Sequence, residues 1–204
     1  LRHLAGMKTL SIIALAALLC LPAAAQADPA TAQRLASPAA QARLLALAEP
    51  DCDRLRTEHL ACLACNLYHE ARSEGRDGMR LVGKVTMNRV ASPAFPDRIC
   101  EVVWHRRAKG RAQFSWTDDG RTDLVREPDA WRDAVANAAV MIHDHFDPYV
   151  TARIDGRSYG PDLLWYHADS VSPDWSRHLQ KAAAVGRHVA YRAPPEPPQE
   201  APST

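Results

Sequence analysis

The chain has 204 residues, 24% of them charged and 47% hydrophobic, with a formal net charge of +1. That length suits one domain with a sizeable core, and the near-neutral balance gives no basic face of the nucleic-acid-binding kind. The local basic run Arg106-Arg107-Ala108-Lys109-Gly110-Arg111 reads as a solvated loop, so no nucleic acid is expected as a partner.

Met7-Lys8 opens a short positive segment, Thr9 to Leu21 is almost unbroken apolar, and Ala25-Gln26-Ala27 offers a small-x-small cleavage site. This pattern predicts a secretory signal peptide over residues 1–27, with residues 1–6 upstream of the true start. The apolar run is short for a membrane span, so no stable membrane insertion is expected after cleavage, and the mature chain is exported, either periplasmic or secreted. Four cysteines then remain, Cys52, Cys62, Cys65 and Cys100. In an oxidising compartment an even count favours two disulfides, with three possible pairings. Cys62 and Cys65 lie one turn apart within a helix, where a bridge would strain the backbone, so each is expected to pair elsewhere. One C-x-x-C without a second pair is too little for a zinc site, and no metal or other cofactor is expected.

Residues 28–57 read as an N-terminal helical extension of one or two modest helices, with Ser37-Pro38 as a helix start. The next stretch, Leu60 to Glu74, is the one the chain is organised around. It holds strong helix formers, has no Gly or Pro before Gly75, and places Leu60, Ala64, Leu67 and Ala71 on one apolar stripe. Glu70 falls about 100° round from the middle of that stripe, sharing a face with Leu63, Asn66 and Glu74. A carboxylate at the lip of a core can have its pKa raised, although most helix acids are simply solvated.

Asp77 reads as the cap of a second helix, with Met79, Val82, Thr86 and Val90 at helical spacing and Ser92-Pro93 as its end. Pro96 opens a short third helix with Ile99, Val102 and Val103 inward. Periodicity vanishes from Lys109 to Asp123, around Gln113-Phe114-Ser115-Trp116. Pro128 opens a long helix with Trp131, Val135, Ala138, Ala139, Ile142 and Phe146 on its core stripe, broken at Asp147-Pro148. Extended or irregular pieces follow at Tyr149 to Ile154 and Leu163 to His167, and a final strand-like piece at His188 to Arg192. Residues 193–204 form a Pro-rich tail expected to be disordered. Phe114, Trp116, Trp165, Tyr166 and Trp175 stand in irregular sequence, where aromatic faces can serve as platforms for sugar rings or plug the core beneath loops.

The ordered set Tyr68-His69-Glu70-Ala71-Arg72-Ser73-Glu74-Gly75, Asn88-Arg89-Val90, Ser92-Pro93-Ala94-Phe95-Pro96, Gln113-Phe114-Ser115-Trp116, Trp165-Tyr166-His167-Ala168 and Val171-Ser172-Pro173-Asp174-Trp175 resembles the SleB-like cell wall hydrolase family. The resemblance runs from about Ala61 to Arg192, within a catalytic domain placed at residues 58–192. It implies a single α+β, mainly helical, lysozyme-like domain acting on the glycan strands of peptidoglycan, and a monomer is expected. It implies Glu70 as the catalytic acid in cleavage of the β-1,4 bond between N-acetylmuramic acid and N-acetylglucosamine, by the lytic-transglycosylase route. Asn66, Gln113, Phe114, Ser115, Trp116, Tyr166 and His167 are then the expected substrate-binding residues, and Glu74 a supporting acid. The resemblance further suggests Cys62 with Cys100, leaving Cys52 with Cys65.

Three alternatives stand beside this reading. A hydrolytic muramidase would want a second carboxyl about 5–9 Å from Glu70, with Glu74, Asp118 and Asp119 as candidates. A zinc-dependent wall amidase is prompted by His69-Glu70, but a zincin would need histidine where Ser73 stands. A non-catalytic wall-binding protein would need no acid at all.

Overall fold

The computed structural model describes residues 28–107 and 110–192. The expected signal peptide and the Pro-rich tail lie outside the described residues. Among those described, six α-helices and a three-stranded antiparallel sheet make an α+β, mainly helical unit.

Helices α1 (Pro29–Leu35) and α2 (Pro38–Leu45) each start at a side-chain cap followed by proline: Asp28 accepts from the Ala30 amide at 3.1 Å and Ser37 from the Ala40 amide at 3.2 Å. Both helices rest on α6 (Pro128–Phe146), and Ala32, Ala36 and Leu44 are buried in the same core as the rest of the domain. The Trp131 indole N–H donates to the Leu44 carbonyl at 3.3 Å, which fastens the end of α2 to α6.

Helix α3 (His59–Ala71) is the axis of the fold. Every residue from Leu60 to Tyr68 is buried, because α4 (Gly75–Ala91), α5 (Ile99–Val103) and α6 surround it. The single apolar stripe expected from periodicity is therefore an all-round apolar helix, as small Ala and Cys residues let neighbours approach from several sides. The helix also ends three residues before Glu74. Gly75, at φ 66°, turns the chain, so α4 starts ahead of Asp77, which lies in its first turn rather than capping it. At Gly83 an added Cβ would lie 2.7 Å from Met141 Cγ, so the crossing of α4 and α6 requires glycine. Two disulfides, Cys52–Cys65 and Cys62–Cys100, tie the N-terminal segment and α5 to successive turns of α3.

Strands β1 (Leu163–Ala168), β2 (Gln180–Val185) and β3 (His188–Arg192) pair in the order β1-β3-β2. A smaller core of Leu81, Val85, Ile154, Leu163, Ala183, Val185 and Ala190 seats the sheet on α4. Polar clamps reinforce it: Asn88 Nδ2 donates to the Gly160 and Leu163 carbonyls at 2.8 and 3.0 Å, and Arg89 Nε donates to the Leu164 carbonyl at 2.9 Å. These bonds fix the start of β1 against the end of α4. Of the extended or irregular alternatives for Tyr149 to Ile154 the segment takes the irregular one, with only Ile154 making an isolated bridge, to Arg157.

Candidate active site

Glu70 occupies the last turn of α3, where the helix emerges from its sheath of neighbours, and its side chain is half-buried. It opens into a groove lined by Arg89 of α4, by Arg107 and residues 111–115 with Gln113, Phe114 and Ser115 among them, by Trp165, Tyr166 and His167 of β1, and by Trp175. The clamps that position β1 thus also carry Tyr166 to Glu70. The Tyr166 hydroxyl donates to Glu70 Oε2 at 2.7 Å. Behind it, the His188 ring packs edge-on to Tyr166 with centroids 5.1 Å apart.

Burial raises the Glu70 pKa, while the Tyr166 hydrogen bond and the Arg89 charge oppose that rise by favouring the carboxylate. Tyr166 itself is held well above the ordinary phenol range, first by burial and then by the Glu70 charge, so it stays a proton donor in the hydrogen bond. Arg89 is almost wholly buried, and burial lowers its pKa to about 10, still cationic at neutral pH. Its guanidinium carbon lies 5.3 Å from the ring centroids of both Phe95 and Phe114.

Of the residues expected to bind substrate, Gln113, Phe114, Ser115, Tyr166 and His167 line the groove. Gln113 Oε1 accepts from Arg107 Nε at 2.9 Å, and Ser115 is exposed. Both ring nitrogens of His167 are engaged within the protein, Nδ1 with the Ala168 carbonyl at 2.8 Å and Nε2 with the Tyr191 hydroxyl at 2.9 Å. His167 therefore braces a wall with Tyr191 and Trp175, ring centroids lying 5.2 and 5.6 Å from its own.

Asn66 and Trp116 lie outside the lining of the Glu70 groove. Asn66 is fully buried: its Nδ2 donates to Thr86 Oγ1 at 3.1 Å, and its Oδ1 accepts from Trp116 Nε1 at 3.0 Å. Trp116 is itself buried, stacked on the His69 ring at 4.5 Å. A buried indole needs an acceptor for its N–H, which Asn66 supplies, and Thr86 takes an N–H of the Asn66 amide; an edge of Trp116 lines the separate cleft shared by His69, Asp119 and Asp123. Their role is to anchor the 3-10 turn Ser115–Asp118 to α3.

Glu74 does not face the groove. Its Oε2 accepts from the Arg187 amide at 2.7 Å, bracing the β2–β3 turn. Both Asp118 carboxylate oxygens are taken by Arg106, at 2.8 and 2.9 Å, and Asp119 faces a separate cleft with His69 and Asp123. Among the described residues, Glu70 is the sole carboxyl lining its groove. Arg89 was missing from the expected site. Its signal was present, since Val82, Thr86 and Arg89 share a helical face, and a charge on an apolar face calls for a reason.

The family model described as Cell Wall Hydrolase matches residues 73–191, beginning three residues after Glu70. A spore cortex-lytic enzyme of Oceanobacillus iheyensis is 29% identical over 128 residues, covering 62% of this chain and 39% of that protein, so the chain spans well under half the length of this relative. The catalytic domain of the germination-specific lytic transglycosylase SleB from Bacillus anthracis aligns at 24% identity with a TM-score of 0.46, over 66% of this chain and 93% of that one. The catalytic domain of Bacillus cereus SleB aligns at 23% identity with a TM-score of 0.44, over 66% and 90%. The family match alone spans more than half of the 204 residues, and the chain belongs to the cell wall hydrolase family.

Proposed function

We propose that the protein cleaves the β-1,4 bond between N-acetylmuramic acid and N-acetylglucosamine in peptidoglycan, as a lytic transglycosylase with Glu70 as its one catalytic carboxyl. The observation that carries this reading is the groove itself: a single carboxyl, shifted toward its protonated form by burial, with no second acid beside it among the described residues. A hydrolase of the usual kind needs two carboxyls, one for the leaving group and one for the water or the sugar. A transglycosylase needs one.

The protonated Glu70 gives its proton to the glycosidic oxygen as the C1–O bond breaks, leaving an oxocarbenium-like centre. Tyr166 holds Oε2, which leaves Oε1 to carry the proton toward the substrate. The resulting carboxylate is stabilised by the Tyr166 hydrogen bond and the Arg89 charge, then accepts the proton of the sugar's own 6-hydroxyl as O6 bonds to C1. The product is a 1,6-anhydro end, and Glu70 is again protonated. Burial shifts the group toward its acid form, and Tyr166 and Arg89 stabilise the carboxylate that then serves as base. Two disulfides and family membership suit an exported protein working outside the cytoplasm.

The test is mass spectrometry of muropeptides released from purified walls by the wild type and by Glu70→Gln. Anhydro ends from the wild type and none from the variant are expected. Reducing ends would make the enzyme a hydrolase, and intact glycan with cut peptide stems would make it an amidase. Lysis by Glu70→Gln at the wild-type rate would remove Glu70 from the chemistry.

A further inference from the structure

The groove carries a charge imbalance that proton transfer alone does not use. Arg89, Arg107 and Arg111 all line it, against the single carboxyl of Glu70, which is neutral in the acid half of the cycle. Arg89 and Arg107 are close enough that the Arg107 charge disfavours protonation of Arg89. Of the three, Arg89 is buried while Arg107 and Arg111 are exposed, and a buried charge is costly unless something of opposite sign joins it.

Arg89 also has an unmet hydrogen-bonding need. It is only 3% exposed, its Nε is tied to the Leu164 carbonyl, and its Nη1 has no hydrogen-bond partner among the described residues. Buried guanidinium donors are ordinarily satisfied, since leaving one unpaired forfeits its desolvation energy. Phe95 and Phe114 flank the group and hold it in place, so it cannot swing out to solvent as a surface arginine would. Arg107, by contrast, is exposed at the rim, oriented through Gln113.

We propose that Arg89 and Arg107 form a carboxylate-receiving subsite beside Glu70, which selects glycan bearing an anionic peptide stem over glycan whose stem carboxylates have been neutralised. This rests on the peptidoglycan reading above and deepens it by naming the substrate group recognised. The chemistry fits the donors. Arg89 lines the groove with a guanidinium held between two rings, whose planar fork suits a carboxylate, and Arg107 at the rim supplies screened attraction from solvent. Neutral sugar hydroxyls would leave the excess positive charge uncompensated. A stem carboxylate that reaches the groove alongside its glycan would cancel it.

The experiment compares two wall preparations from one batch: native peptidoglycan, and the same material with stem carboxylates converted to carboxamides. Initial rates at limiting substrate give kcat/KM for wild type, Arg107→Ala and Arg89→Lys, with circular dichroism and melting curves to confirm folding. A wild-type preference for the native wall on the order of tenfold is expected, the scale of one charge-assisted contact. That preference should shrink severalfold in Arg107→Ala and in Arg89→Lys, and should fall as salt rises from low to physiological strength. Arg107 is on the surface, so its variant decides the matter even if Arg89→Lys fails to fold. Co-sedimentation of Glu70→Gln with both walls reads binding without turnover and should show the same preference. Equal rates and equal binding on the two walls would overturn the subsite while leaving the glycosidase reading intact. A wild type that releases no glycan fragments from either wall would overturn that reading, and the subsite with it.

Discussion

The Tyr166 hydroxyl reaches Glu70 Oε2 at 2.7 Å across 96 residues of sequence, joining the sheet to the last turn of α3. This bond favours the carboxylate, so its loss raises the Glu70 pKa further. Tyr166→Phe should lower kcat by about tenfold or more, within the range of general acid–base contributions. The alkaline limb of the kcat–pH profile should move to higher pH, because the acid form persists longer. A limb that moved to lower pH would contradict this role for the phenol.

Asp123 is buried and its pKa is raised to about 6, first by burial and then by the charges of Asp53 and Asp119. The folded state therefore holds this proton more tightly than the unfolded chain, whose aspartates titrate near ~3.9. The stabilisation from protonation is fully present below the unfolded value and is lost as pH rises through about 6. Asp123→Asn should therefore melt above the wild type at pH 8, and the advantage should vanish by pH 4. Melting temperatures of both proteins across that range check the sign.

The chain of bonds Trp116 Nε1 to Asn66 to Thr86 to the Val82 carbonyl is buried along its length. Trp116→Phe strips a partner from Asn66 and opens a small void. A loss of roughly 2–4 kcal/mol is expected in denaturant unfolding, combining an unsatisfied buried amide with lost packing. Since Trp116 holds Ser115 at the groove, KM for wall substrate should rise as well. A variant that kept full stability would contradict the anchoring role.

Gly186 sits at φ 55° in the β2–β3 turn, and an added Cβ would lie 2.3 Å from Glu74 Oε2. Gly186→Ala should cost about 1–3 kcal/mol from the left-handed backbone, plus the Glu74 bond to the Arg187 amide. Adding Glu74→Ala removes the clash and leaves the backbone strain, so the double variant should fall short of the sum of the two single losses. Strict additivity in a double-mutant cycle would mean that the two residues do not meet.

Much of the helical part was legible because its causes are local. Proline after a capping residue starts α1 and α2, apolar spacing of about 3.6 residues marks α4 and α6, and Asp147-Pro148 stops α6. β2 was not legible: Gln180-Lys181-Ala182-Ala183-Ala184-Val185 has little strand propensity and is extended because β3 pairs with it.

By itself, the sequence determined that an acid stands at the edge of an apolar helix, that Cys52, Cys62, Cys65 and Cys100 lie beyond the apolar N-terminal run, and that ordered motifs resemble a wall-hydrolase family. These depend on neighbours along the chain and on residue identity. Only the tertiary structure decided what covers each face. It turned Asn66 and Trp116 inward as a hydrogen-bonded pair and sent Glu74 to the sheet turn. Among the described residues it left Glu70 the lone carboxyl of its groove and set Arg89 beside it with a donor unmet. The reason is physical: periodicity tells which side chains share a face, whereas burial and charge environment are set by segments 50 or 96 residues away, brought into contact only by folding.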